Sequence, residues 1–275
     1  MNLCYTDLNP TAEWRSTIFQ QEPWTIRPHY TNLFGFELGM VTGDLLHIWN
    51  LGVLRDVVGG VLKVLVRETF VFDGRDIDTR FQTATNQLKA YAKSKGQSLK
   101  LKRLTKTKIC WGGKTFPEFQ GSGSDCNIVA SWLESVLERH HDRHGDFLTL
   151  LWTGNKAMRM LYASNSFFLN DSEKRTFQIL GRIFLDTFLR LAREGLDKNE
   201  MIFKVRPKFH ILCHLVDTPR QVNIARYATW LDEDWLKKIS HTMKLTSVKT
   251  SQTRVLQRWL MLIPTNLTKM FRSRG

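Results

Sequence analysis

Residues 44–65, DLLHIWNLGVLRDVVGGVLKVL, decide the fold class. Leu45, Ile48, Trp49, Val53, Val57, Val61 and Leu65 recur at helical spacing and fall on one helix face. Gly43-Asp44 supplies a start, because an Asp side chain can accept from the free amide groups of the first turn. Gly52 and the pair Gly59-Gly60 either weaken this helix or allow another segment to pack closely against it. The stretch reads as core and as the longest helix of the chain. His47, Arg55, Asp56 and Lys63 interrupt it, so it falls short of the roughly 18 uncharged residues of a membrane helix.

Working outward, helical spacing recurs over 76–94, 125–142, 146–163 and 171–194, where Phe177, Leu180, Phe184, Phe188 and Leu191 share a face. Pro207 opens PKFHILCHL at the helix position that tolerates proline, and Pro219 ends it. Two further helices are expected over 232–243 and 251–262. Residues 1–40 read as irregular, with one short strand at Leu3-Cys4-Tyr5, and 111–124 (WGGKTFPEFQGSGS) as a loop. The expected fold is mainly α, a helical bundle with few short strands. Its expected divisions are an irregular segment at 1–43, a helical domain at 44–263 and a basic tail at 264–275.

Charge is the first functional signal. Forty Lys and Arg against 26 Asp and Glu give +14, which suits a polyanionic partner, DNA above all. The densest basic run is 93–108, KSKGQSLKLKRLTKTK, where Lys93, Lys95, Lys100, Lys102, Arg103, Lys106 and Lys108 occur without one acid. Such a run neutralises phosphates and makes affinity salt-dependent; the alternative is a solvated surface arm. Leucine and lysine alternate within it, which fits an edge strand, an extended arm or a weak helix. Cys4, Cys110, Cys126 and Cys213 form no CxxC pair, which disfavours a zinc ribbon and fits a reducing compartment. The opening MNLCYTDLNP has no apolar leader, so a nuclear or cytoplasmic location without a membrane is expected.

Four further clusters carry side chains capable of chemistry. His140 and His144 stand four apart, as do His210 and His214, a spacing that can chelate a metal. The first pair lies at a helix C-terminus, and the second lacks the Glu a metalloprotease needs beside its first His, so both read as packed histidines. Asp232-Glu233-Asp234 reads either as a helix cap or as a carboxylate source for a divalent cation. Asp44-Leu45-Leu46-His47 reads as a helix start with a histidine in the first turn.

Taken together, Asp44-Leu45-Leu46-His47 with the apolar run after it, and PKFHILCHLVDTPRQVNIARYATWLDEDWLKKI, resemble the DDE-type DNA transposases of CACTA type. Their RNase H-like fold is interrupted by a helical insertion. In that family a C/D-x-x-H signature follows the second catalytic Asp, and an H-L-x-x-H-L motif precedes an aromatic-rich stretch ending in Glu. The resemblance implies that 76–199 corresponds to the insertion and 204–263 to the C-terminal core helices. It implies that Asp7 and Glu233 ligate Mg²⁺, that Asp44 and His47 belong to the site, and that the basic run holds DNA. The family's Glu is usually followed by Arg, whereas Asp234 stands here, so Asp232 or Asp234 can equally be that ligand. Only six residues precede Asp7, which leaves no place for the strand bearing the first catalytic Asp. The resemblance therefore implies the C-terminal part of a transposase, ancestrally cutting and joining DNA and inactive as this chain, with exposed sheet edges and aromatics favouring homo-oligomers. The competing reading is a basic helical module that binds nucleic acid or protein and performs no chemistry.

Overall fold

The computed structural model describes residues 7, 9, 11–12, 26–36, 42–112, 115–164, 166–217, 222–244, 247, 250, 253–257 and 261, with backbone only at 30 and 231–234. The chain forms two compact units, residues 1–228 and 229–275. The second contains helix α7 (Trp230–Lys244). The first contains six α-helices among its described residues: α1 (Leu54–Arg67), α2 (Ile77–Ser94), α3 (Gly123–Glu138), α4 (His141–Ala163), α5 (Asp171–Asp197) and α6 (Pro207–Asp217). No strand occurs among the described residues; a single antiparallel bridge joins Phe168 to Val222. The fold is mainly helical, as the apolar spacing predicts. The strand expected at Leu3-Cys4-Tyr5 lies outside the described residues, as does much of the helix expected over 251–262.

Helix α1 is the centre of the larger unit. Leu54, Val57, Val58, Val61, Leu62, Leu65 and Val66 are all buried, so the helix is apolar nearly all round and other elements enclose it. Gly59 and Gly60 act as contact points. A Cβ on Gly59 would stand 2.8 Å from the Glu118 backbone nitrogen, and one on Gly60 would stand 2.4 Å from the Phe203 ring. Two buried ionic groups on α1 have partners: Lys63 Nζ donates to the Met201 carbonyl at 2.8 Å, and Asp56 pairs with Arg206.

The longest-helix expectation fails at this segment. Residues Leu46–Val53 form a π-helix that runs into α1, with Gly52 at the non-helical angles φ −128°, ψ −107°. Among the described residues the longest helix is α5 instead. Asn170 caps it reciprocally with Glu173: the Asn170 side chain accepts from the Glu173 amide at 2.9 Å, and the Asn170 amide donates to the Glu173 carboxylate at 2.8 Å. Helices α4 and α5 form a hairpin, and α6 packs on both α5 and the π-helical segment. Phe188 stacks with Phe203 and Phe209, at ring-centroid distances of 5.1 and 4.8 Å, and so joins α5 to α6 and the chain before it.

Candidate nucleic-acid interface

The basic run 93–108 begins on α2 and leaves it by a sharp reversal. Gly96 has φ +63°; its amide donates to the Lys93 carbonyl and the Gln97 amide to the Ala92 carbonyl. This is the glycine-dependent stop that satisfies the last carbonyls of a helix. The chain then returns along α2 as an extended strap, which resolves the three readings open at 99–105: it is neither ladder-paired strand nor helix. Leu101 and Leu104 are buried and Leu99 is half-buried, while Lys100, Lys102 and Arg103 point to solvent.

Two side chains pin the strap. The Lys100 amide donates to Asp125 Oδ1 at 2.8 Å, and the Leu104 amide donates to Thr85 Oγ1 at 3.0 Å. Both acceptors are fixed in turn. Asp125 accepts from Ser122 Oγ at 2.9 Å while Ser122 caps α3 through the Asp125 amide. The Thr85 hydroxyl donates to the Phe81 carbonyl at 2.7 Å. Beyond the strap, the Lys108 amide donates to Thr105 Oγ1, a 3₁₀ turn covers Thr107–Ile109, and the Gln120 amide donates to the Lys108 carbonyl at 2.7 Å. The Phe119 amide donates to the Arg55 carbonyl, tying this loop to α1.

Two grooves flank the strap. One, of about 480 Å³, is lined by Lys100, Lys102, Arg103 and Lys108 together with Ser122. The other, of about 370 Å³, lies between the strap and α2 beside Asp78, Gln82 and Lys106. Lys106 Nζ stands 3.5 Å from Asp78, Lys108 Nζ donates to the Gln120 carbonyl, and Lys95 sits 6.0 Å over the Tyr91 ring. Lys93 is exposed. Lys100, Lys102 and Arg103 form no ion pair with any described acid. The strap therefore presents three unpaired cations from an immobilised backbone.

The residues implied by the transposase resemblance occupy other places. Asp7 is exposed, lies outside any helix, and accepts from the Asn9 amide at 3.0 Å. Glu233, with Asp232 and Asp234, lies on α7 in the second unit, and its side chain is outside the described residues. Asp44 begins the π-helical segment: one carboxylate oxygen accepts from the Leu46 amide at 3.0 Å and the other meets Nδ1 of the exposed His47. That is helix-start geometry. Helix α6, which carries His210 and His214, packs along the same segment, and Lys208 Nζ donates to the Leu51 carbonyl at 3.0 Å. His210 and His214 bring their Nε2 atoms to 3.0 Å, and burial pushes the His210 pKa down. His144 marks a kink in α4 and its Nε2 meets Glu68 at 2.8 Å. Among the described residues no three His, Cys, Asp or Glu side chains gather as a metal-binding group.

A buried ionic cluster beneath the loop has no sequence signal. Arg206 grips Asp56 with two hydrogen bonds of 2.8 and 2.5 Å and reaches Glu118 at 3.2 Å. Burial outweighs the Arg206 hydrogen bonds and charge, and pushes the Asp56 pKa up to about 7. Its residues lie 88 and 150 positions apart, which is why spacing could not reveal it. The pin at Asp125 did have a signal, Ser122-x-x-Asp125, the pattern of a helix start. Compared with known proteins, the chain matches no family model, no curated protein and no solved structure.

Proposed function

We propose that the chain binds the DNA backbone through the strap at 99–105, and that it descends from a DDE-type transposase whose ancestral chemistry was metal-dependent strand cleavage and joining. One observation carries the binding: Lys100, Lys102 and Arg103 project, without acidic partners, from a backbone held by Thr85 and Asp125. Phosphate contacts from Lys and Arg release counterions and set affinity without reading bases. A pinned strap loses less conformational entropy on binding than a free arm with the same charges. No membrane role is proposed, and no described helix is long and apolar enough to cross one.

The test is duplex affinity against salt. Replacing Lys100, Lys102 and Arg103 by Ala should flatten the log–log salt slope by up to about three phosphate contacts, each worth about 0.9. An unchanged slope would refute the role of the strap. The binding reading includes no strand chemistry for this chain, so supercoiled plasmid with Mg²⁺ should stay intact. Nicking that disappears in Glu233→Gln would replace this reading with an active transposase.

A further inference from the structure

A second surface, on residues other than the strap, has a different composition. Phe167, Phe168 and Tyr227 are 50%, 57% and 42% exposed, yet Phe167 touches both of the other rings. Phe167 meets Phe168 at a centroid distance of 5.3 Å and Tyr227 at 6.2 Å, both edge-on. Their backbones are fixed from beneath. The Asn223 amide donates to the Phe167 carbonyl at 2.9 Å, and Phe168 bridges Val222. Fully buried Asn223 donates through Nδ2 to the Leu161 carbonyl at 2.7 Å and accepts from the Ala225 amide at 3.0 Å. The fold thus uses a buried polar side chain to hold three rings that it leaves in water.

The chain segments that carry the rings hold no acid, and exposed Asp171, three residues after Phe168, is paired with Lys174 at 3.0 Å. No Asp or Glu occurs from 147 to 170 or from 222 to 228. Arg226, next to Tyr227, is exposed and anchored by a hydrogen bond of 2.6 Å to the Ser164 carbonyl. On α4, which leads to the rings, Lys156 stands 4.2 Å over the half-exposed Trp152. Trp152 lies eleven residues before the end of α4 at Ala163, about 16 Å at 1.5 Å per residue. Large exposed aliphatic side chains, which a docked protein would bury, are missing from the described parts of 147–170 and 222–228. Aromatic faces interleaved with cations form a platform on which unpaired bases stack while the backbone is neutralised.

We infer that Phe167, Phe168 and Tyr227 form a stacking site for single-stranded nucleic acid, separate from the duplex-binding strap. The test measures binding of the full chain to an oligothymidylate and to a duplex by fluorescence anisotropy. Phe168→Ala and Tyr227→Ala should each weaken oligothymidylate binding about five-fold or more, the low end of base–aromatic stacking, and leave duplex binding unchanged. Phe168→Leu keeps an apolar side chain at an exposed position but has no aromatic face, so it should weaken single-strand binding, while Phe168→Tyr should retain it. Equal oligothymidylate affinity for parent, Phe168→Leu and Phe168→Ala would overturn the inference. So would sedimentation showing that Phe168→Ala dissociates a self-associated parent, because the rings would then cover a second copy of the chain. The strap variants test the duplex reading alone, so either proposal can fail without the other.

Discussion

Replacing Thr85 by Val removes one oxygen and almost nothing else. The two side chains have the same shape, so no cavity opens, and their helix propensities are close. In the parent, Thr85 Oγ1 accepts from the Leu104 amide at 3.0 Å and donates to the Phe81 carbonyl at 2.7 Å. The Phe81 carbonyl stays within the helical hydrogen-bond ladder in the variant. The Leu104 amide does not have that recourse, since Leu104 is fully buried and its strap belongs to no ladder. Leaving a buried donor unpaired costs about 1–3 kcal/mol. The Val variant should therefore lose about 2 kcal/mol in urea unfolding at an unchanged m-value, with faster hydrogen exchange at the Leu104 amide. Thr85→Ser keeps the oxygen and should lose about 1 kcal/mol, the value of one buried methyl group. Loosening the strap should also weaken duplex binding without changing the salt slope, because the cations remain. Unchanged Leu104 exchange in Thr85→Val, or a Ser variant as unstable as the Val variant, would refute the pin.

Gly59→Ala should destabilise by about 1–3 kcal/mol despite a helix propensity gain of about 1 kcal/mol, since its Cβ meets the Glu118 backbone and not a movable side chain. Gly145→Ala on α4, where nothing lies within 4 Å of the new Cβ, should stabilise by about 0.5–1 kcal/mol; urea unfolding checks both. Asp56 releases its proton near the ordinary carboxylate value of 3.8 when unfolded and near 7 when folded. The folded state therefore binds the extra proton between those values, and the stability of the wild type relative to Asp56→Asn should fall as pH rises from about 4 to about 7 and level off above, as unfolding at several pH values would show.

Apolar spacing made the helices legible because burial on one or more faces leaves a repeating trace. Helix α2 is expected over 76–94 and spans Ile77–Ser94, with the Asp76 side chain accepting from the Thr79 amide at 2.8 Å. The basic run was equally visible as charge, but its conformation was not. Alternating Leu and Lys fits any chain with one wet side, and the choice was made by Thr85 and Asp125, which lie 19 and 25 residues from their strap partners. The π-helical stretch was illegible for a related reason. Its apolar residues satisfy α spacing, while the departure at Gly52 belongs with a neighbour from far along the chain: a Cβ there would meet Lys208 Cδ at 2.7 Å and the His47 carbonyl at 2.8 Å. Asp44 and His47 were visible as a pair, and their hydrogen bonds are those of a helix start.

The wide-turned stretch Leu46–Val53 has a consequence for how this chain tolerates insertions and deletions. A π turn closes around one residue more than an α turn. Deleting a residue within it would let the segment relax to α geometry without breaking the helical path into α1. Because the wide turn closes the extra residue within a single turn, its removal would leave everything before it on nearly the same side of the axis while α1 stayed in place. The stretch thus works as a length buffer: it can give up one residue while the direction in which the aspartate–histidine pair faces is kept.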